Sequence, residues 1–281
     1  MTKAQRLLLV LCCVFFLQAC GVKFWYNRLD WLVPWYLDDY VELSDIQEER
    51  LELFLQDKTK WHRKSQLPLY IDMLERMTSD LETNNIHQTY DQYGKELTSF
   101  FKILIQELAP ELVEQITTLS DQQIEHMLGN VQSHADKQRK KYDKKSPQDR
   151  LDDLEDSLTD NVKDWIGRLS DKQKELISQW AKDIKPTASL NFEYRSHWRE
   201  AFKLALQERH SESGKAALLS LISDPRQLQG QALKNNQAYN EQLEKTYTLQ
   251  LLDSLSKKQK KKVIKRLNDY KEDFQDLNEQ D

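Results

Sequence analysis

Four times along the chain the same helix start is spelled out: Leu43-Ser44-Asp45-Ile46-Gln47, Leu119-Ser120-Asp121-Gln122-Gln123, Leu169-Ser170-Asp171-Lys172-Gln173 and Leu255-Ser256-Lys257-Lys258-Gln259. Each is a capping box. The serine hydroxyl accepts a bond from the amide of the third helical residue, and the glutamine side chain returns to the serine amide, so two of the four orphan N–H groups of a helix start are satisfied. Aspartate at the first helical position in three of the four adds a favourable dipole interaction, and the preceding leucine is expected to pack back onto the first turns. At about 1 kcal/mol per cap, the phrase is explained as structure before any function is invoked. The starts lie 76, 50 and 86 residues apart, which excludes a fixed solenoid period.

What lies between the starts is also helical in spacing. Leu151, Leu154, Leu158, Val162, Trp165, Ile166 and Leu169 follow steps of three and four after Ser146-Pro147, and Leu228, Ala232, Leu233, Asn236, Tyr239, Leu243, Tyr247 and Leu251 do the same after Asp224-Pro225. Only 6 glycines and 6 prolines occur in 281 residues, well under the usual ~7% and ~5%, which disfavours sandwiches and turn-rich barrels. The expected fold is all-α: an elongated array of about nine to eleven helices. The remaining helices are placed near 44–64, 68–84, 86–108, 111–145, 170–184, 191–210, 214–222 and 257–277. A two-fold duplication is one organisation of this pattern. In each half a boxed start (Ser44, Ser170) precedes a Trp/His/Arg cluster (Trp61-His62-Arg63, His197-Trp198-Arg199), and a second box (Ser120, Ser256) follows. The expected segments are 1–19, 20–24, and helical halves at 25–168 and 169–281.

The N-terminus supplies an address. Lys3 and Arg6 precede an apolar run from Leu7 to Leu17, too short for the ~20 residues of a membrane span, and Leu17-Gln18-Ala19-Cys20 follows. This is a secretory signal peptide over 1–19, and its end resembles the bacterial lipobox. That resemblance implies a Cys20 acylated on its thiol and, after cleavage, on its amine. More than one acyl chain on one residue anchors a protein stably to a bilayer without threading it through. Cys12 and Cys13 leave with the signal, so no thiol remains for a disulfide. Gly21, where an aspartate would resemble an inner-membrane retention signal, points to the periplasmic face of the outer membrane. Net charge moves from −5 to −7 on cleavage, giving no global field for nucleic acid. The basic runs Lys137 to Lys145 and Lys257 to Arg266 are read as solvated helix faces among acidic neighbours.

Directly after the anchor the chain reads Trp25-Tyr26-Asn27-Arg28-Leu29-Asp30-Trp31-Leu32-Val33-Pro34-Trp35-Tyr36-Leu37-Asp38-Asp39-Tyr40, with Trp61-His62-Arg63 and Leu67-Pro68-Leu69-Tyr70 downstream. Over residues 17–70 this resembles a family of Gram-negative lipoproteins of unknown function, which supports the address and implies no chemistry. The boxed phrase is also similar to the L-T-x-x-Q motif of small helical periplasmic stress chaperones related to Spy and CpxP. The aromatic segment has three readings: core packing, a belt at the membrane interface, or a docking surface. Candidate partner-binding residues are Trp25, Tyr26, Arg28, Trp31, Trp35, Tyr36 and Tyr40, with a kink at Pro34 and Arg28 paired to Asp30 or Asp39. Trp61, His62, Arg63, His197, Trp198 and Arg199 are candidate cleft positions.

No catalytic, cofactor or metal residue is assigned. His126 and His134 stand two turns apart, too far for an i, i+4 grip on a metal. Neither a G-x-S-x-G elbow nor a P-loop occurs, and Ser254-Leu255-Ser256-Lys257 matches S-x-x-K without its partner motifs. The expected protein is a non-enzymatic, lipid-anchored helical adaptor that binds an envelope protein and no nucleic acid. A chaperone-like holder of unfolded envelope proteins and a wall or lipid hydrolase are its alternatives.

Overall fold

The computed structural model describes residues 21–280; the segment expected to be a signal peptide, and Cys20, expected to carry the lipid, lie outside the described residues. Within them the chain is all-α, with twelve α-helices, one 3-10 turn and no strand. In chain order these are α1 (Gly21–Tyr26), α2 (Leu29–Leu37), α3 (Asp45–Ser65), α4 (Leu67–Thr83), α5 (Ile86–Thr117), α6 (Asp121–Asp143), α7 (Pro147–Ile166), α8 (Asp171–Asp183), α9 (Ala188–Gln207), α10 (Glu212–Ser223), the 3-10 turn Pro225–Leu228, α11 (Gln231–Asp253) and α12 (Lys257–Asn278).

One helix boundary falls elsewhere than the spacing predicts. Pro110 lies inside α5, which continues to Thr117 before breaking ahead of Ser120. Proline removes one backbone bond, and on a solvent-exposed turn water satisfies the freed carbonyl; Pro110 is exposed while Ala109 beside it is fully buried. Pro34 lies inside α2, as a kinking proline must, and the aromatic segment is broken earlier, at Asn27 and Arg28. Leu228, expected to open a long helix, instead closes the 3-10 turn.

All four boxes form. Gln123 and Gln173 N–H groups donate to Ser120 and Ser170 Oγ at 3.2 and 3.3 Å, and Gln259 N–H donates to Ser256 Oγ at 3.3 Å. The return bonds from the Ser44, Ser120, Ser170 and Ser256 amides to the glutamine carbonyls are each 2.9 Å. Ser146 adds a fifth box with Asp149 in place of glutamine, and hydrogen bonds from Ser146 hold the Asp149 carboxyl below its usual range.

The chain divides into two compact units, one formed by residues 21–76 and 267–280, the other by 77–266. The core of the first holds Leu51, Phe54, Leu67, Met73, Leu74 and Leu277. In the second, Ile177, Leu206, Leu218 and Leu233 are fully buried, and Trp180 stacks on Tyr247 with ring centroids 5.8 Å apart. There the Ser170 and Ser256 boxes interlock. Gln173 is wholly buried and Gln259 nearly so, and their side-chain amides exchange bonds of 2.9 and 3.3 Å. Gln259 also donates to the Arg168 carbonyl at 3.0 Å, and Gln173 to Ser254 Oγ at 3.1 Å.

Candidate functional site

The aromatic segment and the Trp61-His62-Arg63 element come together in the first unit. The step from α1 to α3 brings Tyr26 against His62, and α4 adds Tyr70. Tyr26 Oη lies 2.8 Å from His62 Nδ1, and Tyr70 Oη 3.3 Å from Nε2, so the imidazole is bracketed by two phenols. A neutral imidazole has one donor and one acceptor nitrogen, which suits two hydroxyls that each donate or accept. Arg63 closes the cluster: Nη2 donates to Asn27 Oδ1 at 2.8 Å, and its guanidinium carbon lies 5.6 Å from the Tyr26 ring centroid. Phe274, on α12, meets Tyr70 edge-on at 6.0 Å.

Burial dominates the electrostatics here. It lowers the His62 pKa from its ordinary value, pushes Tyr26 up to about 12 against the opposing pull of Arg63, and raises Tyr70. All three groups are therefore neutral near pH 7, and the cluster is a hydrogen-bonded clasp holding α1 to α3 and α4 rather than a charged relay. The sign of its pH dependence follows. The folded state binds the His62 proton less readily than the unfolded chain does, so the stabilisation is present above the unfolded pKa of ~6.5 and is lost as pH falls through the folded value. Thermal melts of the full chain should show a transition that weakens between pH 7 and pH 5, and His62→Gln should flatten that dependence. A wild-type profile unchanged by the substitution would refute the clasp's role.

The other segment residues divide by orientation. Trp25 and Tyr40 are half-buried, whereas Phe24, Trp31, Trp35 and Tyr36 are 46%, 54%, 38% and 57% exposed. Neither α1 nor α2 contains a buried residue, so this segment is not the core helix that was one of its three readings. Trp31 and Trp35 stack at 5.9 Å, and the Tyr36 and Tyr40 hydroxyls are 3.3 Å apart. Arg28 does not pair with Asp30 or Asp39; its guanidinium lies 4.3 Å over the Phe24 ring, and Asp30 instead accepts the Trp31 N–H at 3.0 Å. Beside them opens a cleft of about 730 Å³ lined by Lys23, Phe24, Arg28, Asp30, Trp31 and Asp273. Lys23 is paired with Asp276, and burial raises the Asp273 carboxyl while Lys23 opposes the rise.

The second triplet belongs to the other unit, on α9. Trp198 stacks on Phe202 at 4.8 Å and donates from Nε1 to the Leu221 carbonyl at 3.4 Å, Arg199 is half-buried, and His197 is exposed. Sequence spacing did not single out Arg209, although it is 5% exposed and donates to the carbonyls of Leu119 (3.0 Å) and Leu206 (3.2 Å) and to Asp121 (2.7 Å). Its neighbours Gln207, Glu208 and His210 are polar, so nothing in the stretch between Leu206 and the Ser211 cap marks it as the buried one. Among the described residues no group of three or more His, Cys, Asp or Glu is placed to hold a metal ion, and no helix is long and apolar enough to cross a membrane.

Fold and cluster together define an all-helical protein with a neutral His–Tyr clasp at its N-terminal end and an exposed aromatic helix beside it. The chain belongs to the family of unknown function DUF6279, which matches residues 39–234. The match starts inside the N-terminal resemblance and runs far past residue 70, where only helical character was legible. No curated protein and no solved structure matches the chain.

Proposed function

We propose that this protein is a lipoprotein anchored through Cys20 to the periplasmic face of the outer membrane, and that it acts as an adaptor, by binding an envelope protein rather than by chemistry. The lipobox and Gly21 support the address. The observation that carries the binding role is on α5, where Leu97 and Phe101, one turn apart, are 54% and 59% exposed within Leu97-Thr98-Ser99-Phe100-Phe101-Lys102-Ile103-Leu104-Ile105. Large apolar side chains held in water at i, i+4 on a 32-residue helix form the anchor pattern of helix-mediated recognition.

Affinity capture from crosslinked, gently solubilised membranes tests this. The intact chain should retain one stoichiometric protein, and the Leu97→Ser/Phe101→Ser variant should lose at least about tenfold of it, because anchors of this kind carry most of the binding energy. Cys20→Ala should lose the membrane fraction as well. Capture undiminished by the α5 substitutions would refute the surface, and a broad mixture of unfolded envelope proteins would make the protein a chaperone.

A further inference from the structure

We infer that the outward aromatic face of α1 and α2, with the cleft beside it, is a seat for the headgroup layer of a zwitterionic phospholipid bilayer. This inference rests on the lipid anchor proposed above. The chain outside the described residues ends at Cys20, and α1 is described from the next residue, Gly21. Gly21 is one peptide step, about 3.8 Å, from Cys20, and the helix carries the backbone only about 5 Å further to Phe24, so Phe24 stays within about 9 Å of an acylated Cys20, little more than one headgroup layer. An anchor that close keeps α1 at the bilayer surface, and only two residues separate α2 from its end.

The side chains match that depth. Trp and Tyr favour the membrane–water boundary, where an apolar ring and a polar edge are both accommodated. Here Phe24, Trp31, Trp35 and Tyr36 are all substantially exposed, and α2 interleaves its aromatics with Asp30 and the flanking Arg28, Asp38 and Asp39. The cleft carries both signs of charge. Arg28 makes no ion pair with a carboxylate among the described residues and rests over Phe24, which leaves its guanidinium edge for a phosphate oxygen. Asp30 and Asp273 line the same cleft and suit the ammonium of the same headgroup. A purely anionic lipid would meet those carboxylates with repulsion, so charge complementarity selects a headgroup bearing phosphate and amine together.

The test uses the full chain in two forms: purified from envelopes, and as Cys20→Ala without the acyl group. In phosphatidylethanolamine-containing vesicles with brominated acyl chains, tryptophan emission of the envelope-purified protein should be quenched, and Trp31→Phe/Trp35→Phe should remove most of that quenching. The Cys20→Ala chain should bind the same vesicles weakly, with a partition that drops about tenfold in Trp31→Ala/Trp35→Ala, whose targets are exposed aromatics large enough to supply that much apolar burial. In Arg28→Ala, the preference for phosphatidylethanolamine over phosphate-free glycolipid vesicles should disappear. Quenching and partition indifferent to Trp31 and Trp35, or crosslinks from these residues to a protein instead of lipid, would overturn the seat. The anchor fails separately: Cys20 without acyl mass in the envelope-purified chain removes that reading, while the Cys20→Ala partition still decides whether the face binds lipid.

Discussion

Gln259→Leu should destabilise the second unit by about 3 kcal/mol, and Gln173→Leu by a similar amount, whereas the double variant should lose clearly less than the sum. Each single change deletes one arm of the buried amide pair: without Gln259, the Arg168 carbonyl loses its donor at 3.0 Å, Gln173 Oε1 loses one at 2.9 Å and keeps only the Ser170 N–H, and the Ser256 amide loses its cap acceptor. A buried polar group left unmatched costs about 1–3 kcal/mol, while replacing both partners by apolar groups of similar shape approaches neutrality. Gln173 is wholly buried, so water cannot re-enter cheaply to restore its bonds. In a unit of this size 3 kcal/mol corresponds to a fall of roughly 6–12 °C in the melting temperature. Strict additivity in urea or thermal denaturation would show that the two boxes cap their own helices and nothing more.

That pair marks where the sequence stopped being legible. The boxes themselves were readable, because a cap is a local device fixed by residue type and a spacing of three. Their docking was not, because Gln173 and Gln259 are 86 residues apart and nothing in either phrase says that its glutamine will face another. The same limit applies to the triplets. In Trp61-His62-Arg63 all three side chains are half-buried, with His62 between two phenols and Arg63 on Asn27, whereas in His197-Trp198-Arg199 the histidine is exposed and Trp198 meets Phe202 and the Leu221 carbonyl. Helical phase decides which member is inside, so the order within each triplet, which differs, makes two unlike sites from one composition. The gap expected between 108 and 111 is closed for a related reason: whether a proline such as Pro110 ends a helix depends on whether its freed carbonyl reaches water, and that is a property of the packed surface.

For the aromatic segment, composition left core packing, a membrane belt and a docking surface all open. Six aromatics in sixteen residues are compatible with a buried helix, and only the break at Asn27 and Arg28 sends Tyr26 into the clasp while Trp31, Trp35 and Tyr36 face out. The clasp therefore fixes α1 against α3 and α4 and sets the angle at which the exposed rings emerge. Sequence supplied the residues, and a two-residue turn supplied their division of labour.

The same substitution should have opposite signs at three glycines. Gly94 and Gly129 lie inside α5 and α6 with open space where a Cβ would be, so alanine there should stabilise by about 0.5–1 kcal/mol through its higher helix propensity. Gly214 is in the first turn of α10, and a Cβ there would stand 2.0 Å from the Glu208 carbonyl oxygen and 2.3 Å from its carbon. Those are backbone atoms of the tight turn between α9 and α10, so they cannot rotate away as a flexible side chain would. Relief requires the turn itself to move, and with it Arg209, whose guanidinium ties that turn to Leu119 and Asp121 at the junction of α5 and α6. Overpacking costs about 1–3 kcal/mol where side chains give; with backbone as the obstacle and Arg209's bonds at risk, Gly214→Ala should destabilise by about 3–4 kcal/mol. Ser211, whose Oγ accepts the Gly214 N–H at 3.0 Å, would lose its cap geometry in the same displacement. Denaturation midpoints of the three alanine variants measure this directly: Gly214→Ala matching the small gain of the other two would mean that the α9–α10 turn is not held where its contacts place it.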